Sequence, residues 1–160
     1  MSDVGILRVT VGVESHTRRG EIVELPETMV DTGSEYTWVP RSVLAALGVG
    51  VERVEHFVTA DGRVIAREIG YAVVHAAGTS TSDAVVFADS GDMVLLGAHT
   101  IEGMNLRVDL KQKRLVPAGP VPAALTDIVL GMMRGTMPPS VRVGGAILEH
   151  PQLERIEMGE

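Results

Sequence analysis

The sequence predicts an all-β domain, a closed or partly closed β-barrel with one or two short helices, followed by a C-terminal helical tail. Three observations carry that prediction. Short segments alternate apolar and polar residues with a period of two, as strands with one buried face do. Turn-forming residues separate these segments at short intervals, a spacing that suits a barrel and leaves little room for long helices. The composition is 45% apolar and only 3% aromatic, with 18 glycines, which implies an aliphatic core and many turns.

Leu7, Val9, Val11 and Val13 alternate with Arg8, Thr10 and Gly12 and form the first strand. The polar stretch 14–20 is a turn, and 21–25 returns as a second strand. Pro26 is expected to break it before a short strand over 28–30 delivers Asp31. After Pro40, residues 41–47 place Val43, Leu44 and Leu47 on one helical face, and Gly48 stops the helix. Segments 51–58 and 63–69 flank Thr59-Ala60-Asp61-Gly62, and Asp-Gly between two such runs is a strong hairpin signal. Strands over 71–75 and 84–88 are separated by a polar run, 78–83. Val94-Leu95-Leu96-Gly97 is an apolar strand leading into a short helix over 98–104. Segments 106–108 and 114–116 make a closing hairpin around Lys111-Gln112-Lys113.

Ala118-Gly119-Pro120-Val121-Pro122 marks a boundary, so residues 1–117 form the main domain and 118–160 an extension. In the extension Leu125, Ile128, Val129, Met132 and Met133 recur at helical spacing. That stripe is expected to pack on the barrel or on a partner chain. A sharper possibility is that 129–137 occupies a cleft or is cut in self-processing.

Composition also excludes function classes. At 160 residues the chain holds one domain and is too short for two full lobes. Its formal net charge is -7 with no basic run, which argues against nucleic acid or an anionic membrane as a partner. There is no cysteine, hence no disulfide framework or thiolate metal site. Met1-Ser2-Asp3-Val4 lacks the basic-then-apolar pattern of a secretory signal, and no segment approaches the roughly 20 apolar residues of a membrane span, so a cytoplasmic location is expected. His16, His56, His75, His99 and His150 show no ligand spacing with one another or with acids, so no metal is expected. No phosphate-cradling glycine loop is present, and no cofactor is predicted.

The most informative segment is Asp31-Thr32-Gly33-Ser34, which follows Thr28-Met29-Val30 and precedes Tyr36-Thr37-Trp38-Val39-Pro40. Taken alone it is good turn chemistry. The run from Asp31 to Pro40 resembles the first catalytic segment of the pepsin family. With the Ala60-Asp61-Gly62 hairpin, Leu95-Leu96-Gly97, the short helix after it and Asn105-Leu106-Arg107-Val108-Asp109, residues 7–117 resemble the retroviral-type (retropepsin-like) single-lobe aspartic peptidases and their bacterial and archaeal relatives. The resemblance implies an acid-protease-type β-barrel and a homodimeric aspartic endopeptidase. The chain holds one such half-site, so two copies would have to meet. The other class on the same fold is a catalytically silent dimeric scaffold or peptide-binding module.

By that resemblance Asp31 and its symmetry mate share one proton and activate water. Thr32 would hydrogen-bond across the dimer, Gly33 would allow the tight loop, and Ser34 would donate to an outer oxygen of Asp31 and favour an acid optimum. Leu95, Leu96 and Gly97 would support the loop. Thr59, Ala60, Asp61, Gly62 and Arg63 would form a flap closing over the substrate. Trp38 is expected in the core or the cleft wall, and Asp89-Ser90-Gly91 is read as a turn. The substrate is expected to be an extended apolar peptide, because the predicted cleft walls are aliphatic.

Overall fold

The computed structural model describes residues 5–124, 133–135, 140–143 and 146–149. The chain divides into two compact units, Met1–Gly119 and Pro120–Glu160. The first contains β1 (Arg8–Glu14), β2 (Val23–Asp31), β3 (Thr37–Pro40), α1 (Arg41–Ala46), β4 (Arg53–Val58), β5 (Val64–Ala76), β6 (Thr79–Ala88), β7 (Leu95–Gly97), α2 (Ala98–Gly103), β8 (Leu106–Asp109) and β9 (Arg114–Pro117). The second contains β10 (Ser140–Val143) and β11 (Ala146–Glu149), an antiparallel pair. The helical stripe expected over Leu125, Ile128, Val129 and Met132 lies outside the described residues.

The first unit is mostly β with two short helices. Its main sheet runs β1-β2-β7-β3-β6-β5-β4, and β1 also pairs with β5. Six strands therefore form a ring, with β4 attached along the outer side of β5. Val11, Val13, Val39, Leu44, Val74, Val85 and Leu96 fill the interior, each at most 1% exposed. The core cluster is aliphatic as composition predicts, with Phe87 its single aromatic member among the described residues. β8 and β9 form a separate hairpin that contributes buried Leu106 and Leu115 to the same core. No described helix is long and apolar enough to cross a membrane.

Three expected boundaries shift, each for a local reason. Pro26 does not break the second strand, which runs unbroken from Val23 to Asp31. The register against β1 slips there, from Val9↔Thr28 to Val11↔Leu25, and Glu27 adopts φ 54°. The proline thus sits in a bulge, where its missing N–H interrupts nothing. The segments 63–69 and 71–75 join into the 13-residue β5. They can do so because residue 70 is glycine: a Cβ there would lie 2.5 Å from the Gly50 carbonyl oxygen and 2.9 Å from the Phe87 ring. The polar run 78–83 is mostly strand, since Ala77 and Gly78, at φ 50° and 78°, make a two-residue turn and β6 starts at Thr79. Positive φ at both central positions matches the twist of the flanking strands.

Burial of Glu14 at the end of β1 was not foreseen either. Its side chain is enclosed where β1 meets β5, with the residue 2% exposed. Oε2 accepts the Gly20 N–H at 2.8 Å, and Oε1 lies 2.6 Å from His75 Nε2 and 3.2 Å from Arg19 Nε. The Gly20 N–H, helped by His75 and Arg19 and opposed by burial, lowers the Glu14 carboxyl from 4.5 to about 2. The histidines are accordingly less isolated than their spacing suggested, since His75 pairs with Glu14 and His99 with Asp83.

Two predictions follow from this packing. Gly70→Ala should lower stability by about 1–3 kcal/mol through overpacking, while Gly50→Ala, which meets no neighbour within 4 Å, should stay within about 0.5 kcal/mol of wild type in denaturant titrations. The depressed Glu14 carboxyl contributes stability that is whole above pH 4.5 and is lost as pH falls toward 2. Glu14→Gln should therefore be less stable at neutral pH and show a shallower decline across that window, read as Tm against pH.

Candidate active site

Asp31 is the last residue of β2, and its position is fixed by a parallel pairing with β7. Met29, Val30 and Asp31 lie opposite Leu95, Leu96 and Gly97. The chain then turns through 32–36 into β3, which meets the other side of β7 at Trp38↔Leu95. The strand entering the loop and the strand leaving it thus flank the same short strand. Leu95 and Leu96 are buried beneath the loop, at 7% and 0% exposure. Gly97 packs so closely under it that a Cβ would overlap the Tyr36 carbonyl.

Backbone hydrogen bonds shape the loop. Asp31 Oδ1 accepts the Gly33 N–H at 2.9 Å, and the Asp31 carbonyl accepts the Ser34 N–H at 3.2 Å. The first two residues of α2 reach back to it: Ala98 N–H donates to the Ser34 carbonyl at 2.7 Å and His99 N–H to the Glu35 carbonyl at 3.0 Å. These donors would be left over at a helix start. Ser34 Oγ donates its single proton to the Tyr36 carbonyl at 3.1 Å. It therefore does not donate to Asp31, and the argument for an acid optimum from Ser34 loses its basis. The Thr32 side chain is exposed.

Beneath the loop runs a buried relay that no sequence pattern announced. Gly97 N–H donates to Thr37 Oγ1 at 2.9 Å, Thr37 Oγ1 lies 2.6 Å from Thr100 Oγ1, and Thr100 Oγ1 donates to Asp83 Oδ2 at 2.9 Å. Asp83 Oδ1 also accepts the Ala84 N–H at 2.7 Å and meets His99 Nδ1 at 2.9 Å. Each hydroxyl has a single proton, and Thr100 spends its own on Asp83, so the remaining direction follows. Thr100 must give its proton to Asp83, and Thr37 must give its own to Thr100. Each hydroxyl then uses one donor and one acceptor function, as buried polar groups require.

Across from Asp31 stands the tip of the β4–β5 hairpin. Thr59 N–H donates to the Arg63 carbonyl at 2.8 Å and Gly62 N–H to the Thr59 carbonyl at 2.9 Å, with Gly62 at φ 84°. The Thr59 hydroxyl donates to the Asp61 carboxylate, which Arg63 Nε also meets at 2.9 Å. These donors, Thr59 first, hold the Asp61 carboxyl below its ordinary value. Asp31, Ser34, Thr59, Arg63 and Leu95 all line one cavity of about 440 Å³. Thr32, Ala60, Asp61 and Gly62 are exposed and line no part of it.

A second cavity of about 570 Å³ adjoins it, sharing Ser34, Trp38, Thr59 and Ile65. Its wall is aromatic where an aliphatic one was expected. Tyr36 and Phe57 meet edge to face with ring centres 5.6 Å apart, and Trp38 and Phe57 are tilted at 5.0 Å. Trp38 is a cleft-wall residue. The stem of the hairpin is tied down by charge. Arg67 makes a two-pronged contact with Asp92, Nε to Oδ2 at 2.6 Å and Nη2 to Oδ1 at 2.8 Å, while Arg41 bridges Glu68 at 2.7 Å and Asp89 at 2.8 Å. Arg67 holds the Asp92 carboxyl below its ordinary value. Asp89-Ser90-Gly91 is a turn, closed by the Asp92 N–H on the Asp89 carbonyl at 2.9 Å. Among the described residues, no group of three or more His, Asp or Glu side chains is placed to hold a metal ion.

No protein-family model matches the chain, and no curated protein matches it. The residues and their geometry carry the functional reading.

Thr100→Val should cost about 1–3 kcal/mol, because it removes the proton that Asp83 accepts and strands the Thr37 hydroxyl. Thr100→Ser keeps the hydroxyl and should recover most of that loss in the same denaturant titration.

Proposed function

We propose that the protein is a homodimeric aspartic endopeptidase of the retropepsin-like class, its ring of strands an acid-protease-type β-barrel. The observation that carries this is the setting of Asp31. A carboxylate at a strand end, in register with Gly97 and bonded by the Gly33 N–H, shares a cavity with Thr59 and Arg63 of the β4–β5 hairpin. The remaining support is the order of parts along the chain, Asp-Thr-Gly-Ser, hairpin, then Leu-Leu-Gly and helix.

In this reading two Asp31 carboxyls meet on a two-fold axis and hold one proton between them, because like charges so close do not both ionise. The ionised member takes a proton from a water, and that water attacks the peptide carbonyl carbon. The protonated member gives its proton to the carbonyl oxygen. Collapse of the tetrahedral intermediate breaks the C–N bond: the amine leaves with the proton taken from water, and one hydroxyl of the intermediate returns its proton to the second carboxyl, restoring the singly protonated pair. The 59–63 hairpin closes over the peptide and excludes solvent. Thr32, exposed at the loop, is available to a second copy.

Cleavage of an unfolded protein substrate between about pH 4 and 7 should fall by about 10³-fold or more in Asp31→Asn, while sedimentation shows the dimer unchanged. Specific activity should rise with protein concentration around the dimer dissociation constant, since the site is complete only in the dimer. A dimer whose wild type cleaves nothing would reassign the fold to a catalytically silent peptide-binding module.

A further inference from the structure

The chain has only five aromatic residues, one Trp, two Tyr and two Phe. Three of them, Tyr36, Trp38 and Phe57, line the 570 Å³ cavity beside the Asp31 loop. All three are half-buried, with Phe57 packed between Tyr36 and Trp38. A volume of this size accommodates one or two large side chains and falls within the range of ligand sites.

Charge narrows the occupant. The two arginines lining the Asp31 cavity are already paired, Arg63 with Asp61 at 2.9 Å and Arg67 with Asp92 at 2.6 Å, and Arg53, which lines neither cavity, pairs with Glu55 at 3.2 Å and donates to the Tyr36 hydroxyl at 3.1 Å. Glu35 lines the aromatic cavity and Asp31 the one beside it, and neither carboxylate makes an ion pair among the described residues. The uncompensated charge of the cleft is negative, and the chain as a whole carries -7. A cation beside an aromatic wall also gains from the ring faces.

We infer that the cavity walled by Tyr36, Trp38 and Phe57 is a specificity site for an extended peptide with a large apolar side chain next to lysine or arginine, Glu35 receiving the cation. This deepens the peptidase reading and rests on it in taking an extended peptide as the occupant. It replaces the expectation of an aliphatic cleft with a narrower class of substrate.

The test uses the one tryptophan of the chain, because its emission reports on this cavity. Full-length Asp31→Asn is titrated with three short blocked peptides sharing a Leu-Phe centre and flanked by lysines, serines or glutamates. The lysine peptide should give a saturable change in Trp38 emission and bind about five- to tenfold tighter than the glutamate peptide at low salt. The preference should shrink at high salt and largely vanish when Glu35→Gln is added. No emission change with any peptide, equal affinity for all three, or a preference that survives Glu35→Gln each overturns the inference. Wild-type cleavage of the same peptides separates the two readings. Selective, Glu35-dependent binding without cleavage upholds the specificity site and sinks the peptidase, whereas cleavage without the preference does the reverse.

Discussion

The approach of Gly97 to the Tyr36 carbonyl is the constraint on which the candidate site depends. Only a residue without a Cβ lets β7 slide under the 32–36 loop while its own N–H reaches Thr37. Once it is there, β2 and β3 pair on its two sides and the α2 N-terminus closes on the loop carbonyls. The Asp31 carboxylate then projects from a backbone held at both ends and from below. A group meant to position a water or a proton gains from such rigidity, because misplacement by a fraction of an ångström is costly in rate.

The relay from Gly97 through Thr37 and Thr100 to Asp83 extends that constraint into β6. Its four members come from β3, β6, β7 and α2, so no pair of elements can shift without breaking a buried hydrogen bond. In a low-dielectric interior each such break leaves an unsatisfied polar group. The opposite wall is built differently. β4 is the edge strand of the sheet, and the hairpin meets the 89–92 turn through the ion pairs of Arg67 with Asp89 and Asp92. One side of the cleft is thus held by buried hydrogen bonds and the other by the part-buried, two-pronged Arg67–Asp92 pair.

Much of this was legible in the sequence where chemistry is local. The period-two runs located most strands, Asp-Gly located the hairpin, and Gly48 the end of α1. Pro26 misled because a proline's effect depends on whether its missing N–H had a partner, and the bulge opposite Val9 and Val11 is set by the neighbouring strand. The run 78–83 looked like a loop because Thr79 to Asp83 are polar, although the tight turn needs only Ala77 and Gly78. Asp83 and Thr100 could not be assigned at all: their partners lie 17 to 63 positions away along the chain. Tyr36, Trp38 and Phe57 did leave a signal, namely that a chain so poor in aromatics keeps two of them directly behind Asp-Thr-Gly-Ser.

The proposed acid–base hydrolysis needs two carboxyls, and the cavity that contains Asp31 is lined by two in one chain. A dyad needs a second carboxyl able to hold a proton while Asp31 is ionised. Asp92 is the other carboxylate lining the cavity that contains Asp31. Arg67 grips both of its oxygens and the Asp89 N–H donates to one of them, which lowers its carboxyl from the ordinary value and favours the ionised form. A carboxylate fixed in that state cannot serve as the acid partner. The proposed dyad therefore takes its second carboxyl from a second copy of the chain and not from Asp92.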